Sequence, residues 1–218
     1  MTALRVMTYN VRMLKDDRAA VAAVLRECDP DVVALQEPPR GGPLGRRRLR
    51  RVAAEAGLEL VVAGGGARTT AILARPELAL TGARAMRLPS LPGRTLRGLA
   101  VVEHAGLRIV SVHLGLSARE RSLQVLRIMP LVAAAPSCVV LGDLNELPDG
   151  PSWRRLGMDL RDLAAHAGPT YSSRQPTKRI DAVLGSRGVT ASGARVVSND
   201  DTPRASDHLP VVVDVRWS

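Results

Sequence analysis

Cys138-Val139-Val140-Leu141-Gly142-Asp143-Leu144-Asn145 is an apolar run of strand type that gives way within two residues to a carboxylate and then an amide. Branched aliphatic residues favour a strand, and a strand end on a rigid sheet is a good support for polar groups that must be held in place. The same pattern recurs on either side. Leu4 to Asn10 reads as a strand ending in an amide. Asp31-Val-Val-Ala-Leu-Gln is a buried-strand run ending at Glu37, and Leu107 to His113 reads as a strand ending in an imidazole. Arg179 to Leu184 carries Asp181, and Asp207-His208 precedes a last strand from Leu209 to Arg216.

Helix signals fall between these strands. Asp16 and Asp17 are candidate N-caps for a helix whose Ala20, Val21, Val24, Leu25 and Cys28 share a face at helical spacing; Asp29-Pro30 ends it. The spacing predicts further helices over Leu44 to Ala56, Ser117 to about Val132, and Trp153 to Leu163. Shorter strands are expected at Leu58–Ala63, Thr69–Arg75, Leu78–Leu88, Leu96–His104 and Ala194–Ser198. The separators Gly64-Gly65-Gly66, Arg75-Pro76, Pro89 to Gly93 and Ala105-Gly106 have hairpin-like lengths, which suggests a largely antiparallel stretch. With no repeat and no break in composition, the expectation is one domain over residues 1–218, mixed α and β.

Composition narrows the class. The chain has 218 residues, 45% of them hydrophobic and 2% aromatic, with 31 basic against 21 acidic side chains and a formal charge of +10. That hydrophobic content excludes disorder. A chain of this length buries roughly 70% of its unfolded surface, so its core needs no staples. Cys28 and Cys138 are too few for a disulfide framework and read as small buried hydrophobes. The opening Met1-Thr-Ala-Leu-Arg-Val-Met runs into strand-like alternation rather than a leader, and Leu131 to Gly142 is too short to span a bilayer, so a cytoplasmic location is expected. The positive charge is almost all arginine, which grips phosphate bidentately and fits an anionic partner.

Six blocks in order, Thr8-Tyr9-Asn10-Val11-Arg12, Leu35-Gln36-Glu37, Val112-His113-Leu114, Gly142-Asp143-Leu144-Asn145, Arg179-Ile180-Asp181 and Ser206-Asp207-His208-Leu209-Pro210, resemble the endonuclease/exonuclease/phosphatase superfamily. The resemblance covers the chain from about Leu4 to Arg216. It implies a four-layer α/β/β/α sandwich, two packed sheets with helices outside, as in deoxyribonuclease I. It also implies hydrolysis of a phosphate ester by in-line attack of water with a divalent cation, Mg2+ most simply or Mn2+ in its place.

The resemblance assigns roles residue by residue. Glu37 is the expected metal ligand, with Asn10 adding an amide oxygen and Asp207 a second carboxylate. His208 is the candidate general base, since imidazole titrates near neutral pH, and Asp181 would fix its tautomer. Asp143 would orient or deprotonate the water. Asn145, two residues on and so able to point to the same face, would donate to a phosphoryl oxygen. His113 resembles the extra histidine of the deoxyribonuclease I branch, and Arg12 follows that branch as a phosphate contact. The carboxylate that supports this histidine there has no counterpart between Gly65 and Arg75, where Thr69-Thr70 stands instead.

The expected substrate is a nucleic-acid backbone. The 36 positions from Asn145 to Asp181 leave little room for long duplex-gripping loops, so nonspecific or small-phosphodiester cleavage is easier to support than sequence-specific recognition. Alternatives are an inositol phosphate or phospholipid head group as substrate, or a binding module without activity. The order Arg179-Ile180-Asp181 is the reverse of that characteristic of inositol-polyphosphate 5-phosphatases, and the joint presence of Glu37, Asp143, Asn145, Asp207 and His208 speaks against an inactive module. Arg46-Arg47-Arg48-Leu49-Arg50-Arg51 reads either as a solvated helix face or as a phosphate-contact surface. Tyr171 reads as a cavity-lining side chain or a loop anchor, and Trp153 and Trp217 as packing residues.

Overall fold

Successive strand side chains point to opposite faces, so a strand apolar at every position needs cover on both sides. The computed structural model, which describes residues 2–218, supplies that cover with layers. Its strands are β1 (Thr2–Asn10), β2 (Val32–Gln36), β3 (Glu59–Ala63), β4 (Thr70–Ala74), β5 (Thr81–Arg87), β6 (Gly98–His104), β7 (Leu107–His113), β8 (Ser137–Asp143), β9 (Leu160–Asp162), β10 (Asp181–Ser186), β11 (Thr190–Val196) and β12 (Val211–Trp217). The helices are α1 (Arg18–Cys28), α2 (Gly42–Glu55), α3 (Ala118–Ala133), α4 (Pro151–Leu156) and α5 (Thr202–Ala205).

Two six-stranded mixed sheets result, one ordered β11-β12-β1-β2-β4-β3 and the other β5-β6-β7-β8-β10-β9. Between them lies an apolar layer of residues such as Val6, Ala34, Ile72, Ile109, Leu141 and Val183. The alternate residues of the same strands face outwards. Met7, Val33 and Leu35 pack with Val21 and Leu25 of α1 and Leu49 of α2. Val110, Val112 and Val140 pack with Val125 and Ile128 of α3 and Trp153 of α4. This is the expected α/β/β/α sandwich.

Local chemistry fixes the helix ends. Asp17 caps α1, accepting from the amides of Ala19 and Ala20 at 2.9 and 3.2 Å, and Ser117 caps α3 through the Glu120 amide. Cys28 and Cys138 are buried and free. Trp153 and Trp217 are buried, each donating its indole N–H at 2.8 Å to a carbonyl, of Glu146 and Ala105 respectively. Among the described residues no helix is long and apolar enough to cross a membrane.

Three expectations need correction. The helix expected over Trp153 to Leu163 stops at Leu156, and Leu160–Asp162 instead pairs with β10, covering a sheet edge that would otherwise be bare. Arg75-Pro76 is not a hairpin turn: β4 belongs to the first sheet and β5 to the second, so the chain changes layers there. Asn145 does not share the end of β8 with Asp143. It lies past it in a left-handed conformation, φ 50°.

Candidate active site

The topology brings the polar strand ends to one edge. Parallel β1 and β2 finish together, Asn10 opposite Gln36 with Glu37 next, and parallel β7 and β8 place His113 opposite Asp143. β10 runs antiparallel to β8, so its first residue, Asp181, is the partner of Asp143. Gly142 permits the close approach. Its φ is 153°, and a Cβ there would collide with the carbonyl of Val112 on β7. A cavity of about 640 Å³ opens at this edge, and Asn10, Glu37, His113, Asp143, Asn145 and His208 line it. Tyr171 and Asp207 lie on its wall as well. The sandwich therefore gathers groups drawn from nearly the whole chain.

Asp143 is the hub. Its Oδ2 accepts from Asn10 Nδ2 at 3.2 Å and lies 3.4 Å from His113 Nε2 and 3.8 Å from His208 Nε2. Its Oδ1 accepts from the Asn145 amide at 2.8 Å. Burial, reinforced by repulsion from Asp181, raises the Asp143 carboxyl to about 7 despite the opposing pull of His208.

Behind the hub runs a chain of three buried groups. Thr170 Oγ1 donates to Asp181 Oδ2 at 2.6 Å, and His208 Nδ1 bonds the same oxygen at 2.9 Å. This leaves Nε2 of His208 on the Asp143 side. Burial works against the imidazolium, but the charge and hydrogen bond of Asp181, with Asp143 and Asp207 adding to them, outweigh it and lift His208 to about 9. The loop before β12 is stitched to β1 by Ser206, whose Oγ donates to the Asn10 carbonyl at 2.6 Å. The Tyr171 ring lies 5.0 Å from that of His208, so it both lines the cavity and anchors this corner.

His113 is fully enclosed, and its Nδ1 has no hydrogen-bond partner among the described residues, in keeping with the missing carboxylate. Burial, then the charge of Arg97 and of His208, holds its pKa well below the usual value, so it is neutral. Arg97, seven per cent exposed, also lines the cavity. Its side chain has one long hydrogen bond, 3.4 Å to Thr69 Oγ1, and no ion pair among the described residues. Burial draws its pKa downwards against the attraction of Asp143, Glu37 and Glu120. A buried guanidinium without a carboxylate partner is costly unless an anion meets it.

Glu37 is the opposite case, a cavity-facing carboxylate with no hydrogen bond or ion pair among the described residues. Beside it, Asn10 Oδ1 accepts the Arg12 amide at 3.1 Å, and Asp207 lies 3.5 Å from Arg12 Nε. Glu37, Asn10 and Asp207 line the same cavity, and an unpartnered carboxylate with amide and carboxylate oxygens in reach of that space is a donor set of the kind a hard divalent cation takes. Asp143, Asp181 and His208 also bring one ligand atom each within 4.8 Å of one another. There the Nδ1–Oδ2 hydrogen bond already commits two of the three residues. Arg12 is not in the cavity wall: its guanidinium is held between Asp16, at 3.2 Å, and Asp207. Arg179 pairs with Asp162 at 2.7 Å and covers the Trp153 ring, leaving Asp181 to His208.

The cavity wall carries backbone strain. Met13, Glu37, Arg68 and Asn145 hold left-handed conformations at φ 61°, 50°, 55° and 50°, unusual for residues with a side chain. Hydrogen bonds hold two of them in place: the Met13 amide donates to the Glu37 carbonyl at 2.7 Å and the Glu37 amide to the Thr69 carbonyl at 2.9 Å. Thr170, Ser206 and Arg97 were not singled out from the sequence. Thr170 is adjacent to Tyr171 in the same loop, and Arg97 lies in the loop immediately before β6, so neither follows an apolar strand as the other site residues do.

A buried Thr170–Asp181–His208 hydrogen-bond chain thus stands at the edge of an α/β/β/α sandwich, near Arg97 and Glu37, neither of which has an ion-pair partner among the described residues. The model of the Endonuclease/Exonuclease/phosphatase family matches residues 7–208, and the chain belongs to that family of hydrolases acting on phosphate esters. Among solved structures it is similar to an endonuclease/exonuclease/phosphatase from Bacteroides vulgatus, with 15% identity, a TM-score of 0.80 and 100% of both chains covered. It is also similar to the mannosyl-6-phosphatase Bt3783 of Bacteroides thetaiotaomicron (17% identity, TM-score 0.76, 98% of this chain and 100% of that one). D. rerio TDP2 complexed with single-strand DNA product gives 18% identity and a TM-score of 0.71, over 99% of this chain and 100% of the other. At these identities the likeness is one of fold. No curated protein sequence matches the chain.

Proposed function

We propose that the chain acts, as one domain, as a divalent-cation-dependent phosphodiesterase on a nucleic-acid backbone. The observation that carries the reading is the Thr170–Asp181–His208 chain opening, past Asp143, into the same cavity as the unpartnered Glu37 and the buried Arg97. His208 Nε2 accepts the proton of the attacking water, and Asp181 stabilises the imidazolium that results. Asp143, which faces both histidines from one oxygen, orients that water. Asn145 spends one amide hydrogen on the Leu114 carbonyl at 2.9 Å and keeps the other for a phosphoryl oxygen. Arg97 and neutral His113 stand on the side where negative charge grows on the transferring group.

Glu37, with Asn10 and Asp207 beside it, would hold Mg2+, which supplies positive charge to the phosphoryl and leaving oxygens. Arg12 sits beside Asp207 and would set its carboxylate rather than touch the phosphate. Tyr171 packs the rim. The formal charge of +10 favours a polyanion over a small neutral-bodied phosphate ester, and the likeness to TDP2 bound to DNA product is compatible with that choice. The test is a panel of single-stranded oligonucleotide, plasmid, bis(p-nitrophenyl) phosphate, inositol phosphates and mannose 6-phosphate, each with Mg2+ and with EDTA. Turnover of the diesters with Mg2+, ahead of the monoesters, is expected; preference for any monoester would replace this reading with that of a phosphatase.

A further inference from the structure

A second depression of about 260 Å³ adjoins the catalytic cavity, and Pro38, Arg40 and Arg68 line both. Its wall is otherwise glycine, proline and small apolar residues with one further cation, Arg46. The Arg46 guanidinium lies against the Gly64 turn, where an added Cβ would come within 3.8 Å of its Nε. None of the three arginines makes a hydrogen bond or ion pair through its side chain among the described residues, and no carboxylate lines the depression. Other surface grooves differ. Arg48 and Arg51 of the same helix share theirs with Asp16, Asp17 and Glu55, and Arg5 and Arg75 share theirs with Asp29, Asp31 and Asp214. Helical geometry thus splits the arginine run: Arg46 turns towards the catalytic edge, and Arg48 and Arg51 share a groove with Asp16 and Asp17 just before α1 and Glu55 at the end of α2.

Three uncompensated cations in a channel continuous with a phosphate-ester site constitute a subsite for a second phosphate. The lining offers no aromatic face and no side-chain amide or carboxylate to read a base, so it would fix position without reading sequence. We propose that Arg40, Arg46 and Arg68 seat the phosphate next along the strand from the one under attack, making the substrate a chain of phosphodiesters in a single nucleic-acid strand rather than an isolated phosphate ester. The inference rests on the phosphodiesterase reading but is tested by binding alone.

The experiment measures binding of a fluorescein-labelled dodecathymidylate by anisotropy, in EDTA so that no turnover intervenes, across a range of salt concentrations. Each phosphate contact on a single strand contributes about 0.7 to the slope of log K against log salt, so Arg40→Gln/Arg46→Gln/Arg68→Gln should flatten that slope by about 2 and Arg46→Gln alone by about 0.7. Arg47→Gln/Arg50→Gln/Arg127→Gln removes the same charge from exposed positions outside the groove and should leave the slope within a few tenths. Unchanged urea midpoints establish that the variants fold. A wild-type chain that does not bind the strand, a groove variant with the wild-type slope, or a control variant as flattened as the groove variant would each overturn the subsite. Because diester turnover is scored separately in the substrate panel, loss of the subsite leaves the phosphodiesterase reading to stand or fall on its own result.

Discussion

Replacing Asp181 with Asn isolates the electrostatics of the relay. The amide is nearly the size of the carboxylate, its oxygen can keep the bonds to Thr170 and His208, and its NH2 falls on the side where Asp181 Oδ1 now has no partner. What disappears is charge. The charge and hydrogen bond of Asp181 are the foremost of the influences that raise His208 from 6.5 to about 9, acting against burial. Without that charge only Asp143 and Asp207 oppose burial, and His208 should fall from about 9 towards its ordinary 6.5, by up to about 2.5 units. At 1.36 kcal/mol per unit this is on the order of 3 kcal/mol of differential interaction. The sign follows from the raised folded value: the stabilisation is complete below pH 6.5 and is lost as pH rises through 9. The variant should therefore be the weaker protein at pH 6 by up to this amount, with the gap closing above pH 9. Imidazole NMR titration, with the His208 signal assigned by its loss in His208→Gln, reads the shift directly, and urea unfolding at pH 6 and 9.5 reads the stability. A His208 that titrates within half a unit of wild type in Asp181→Asn would refute the reasoning.

Other predictions follow from the same geometry. Asp143→Ala and His208→Ala should each lower diester turnover by at least the roughly 10²-fold typical of losing a proton-transfer group, measured as kcat on bis(p-nitrophenyl) phosphate; near-wild-type rates would displace the centre. Arg97→Gln should cost roughly 10² to 10³ in kcat on the same substrate, the scale of a lost transition-state donor, without moving the pH profile; a profile that shifts while kcat holds would make Arg97 a titration partner instead. Because the base must be unprotonated, kcat/KM at low Mg2+ should climb towards pH 9, and saturating Mg2+, by neutralising Asp207, should move the climb to lower pH; a fixed profile would contradict a cation held on Asp207. Tyr9 is buried with a hydroxyl that has no partner among the described residues, so Tyr9→Phe should raise the urea midpoint by an amount worth up to about 1–3 kcal/mol, and a fall would reveal a missed partner.

The strand ends were legible because two different constraints coincide there. A strand buried on both faces must be apolar until it leaves the core, so Asn10, Glu37, His113 and Asp143 stand out against Val, Leu and Ile. The cap at Asp17 was legible for a local reason, an acidic residue placed before a helical apolar stripe. What stayed hidden depends on contacts distant in sequence. Thr170 matters because Asp181, 11 residues on, folds beneath it, and Ser206 because it reaches back to Asn10 across 196 positions. The division of the arginine run among separate grooves follows from the helical turn and from the acids that fold beside it, Asp16 and Asp17 before α1 and Glu55 at the end of α2. Leu160–Asp162 reads as helix by itself and is strand only because β10 needed a neighbour.

Glu37 is the proposed seat of the cation needed for hydrolysis beside His208 and Asp143. The direct measurement is the Mg2+ dependence of bis(p-nitrophenyl) phosphate turnover, after treatment with EDTA, for the wild-type chain and for Glu37→Gln. The expected result is a wild-type chain silent in EDTA and restored by Mg2+, with the variant needing more Mg2+ by more than the roughly 10- to 100-fold that loss of a mere supporting group costs. Turnover indifferent to the chelator, or an identical Mg2+ dependence in both proteins, would contradict it.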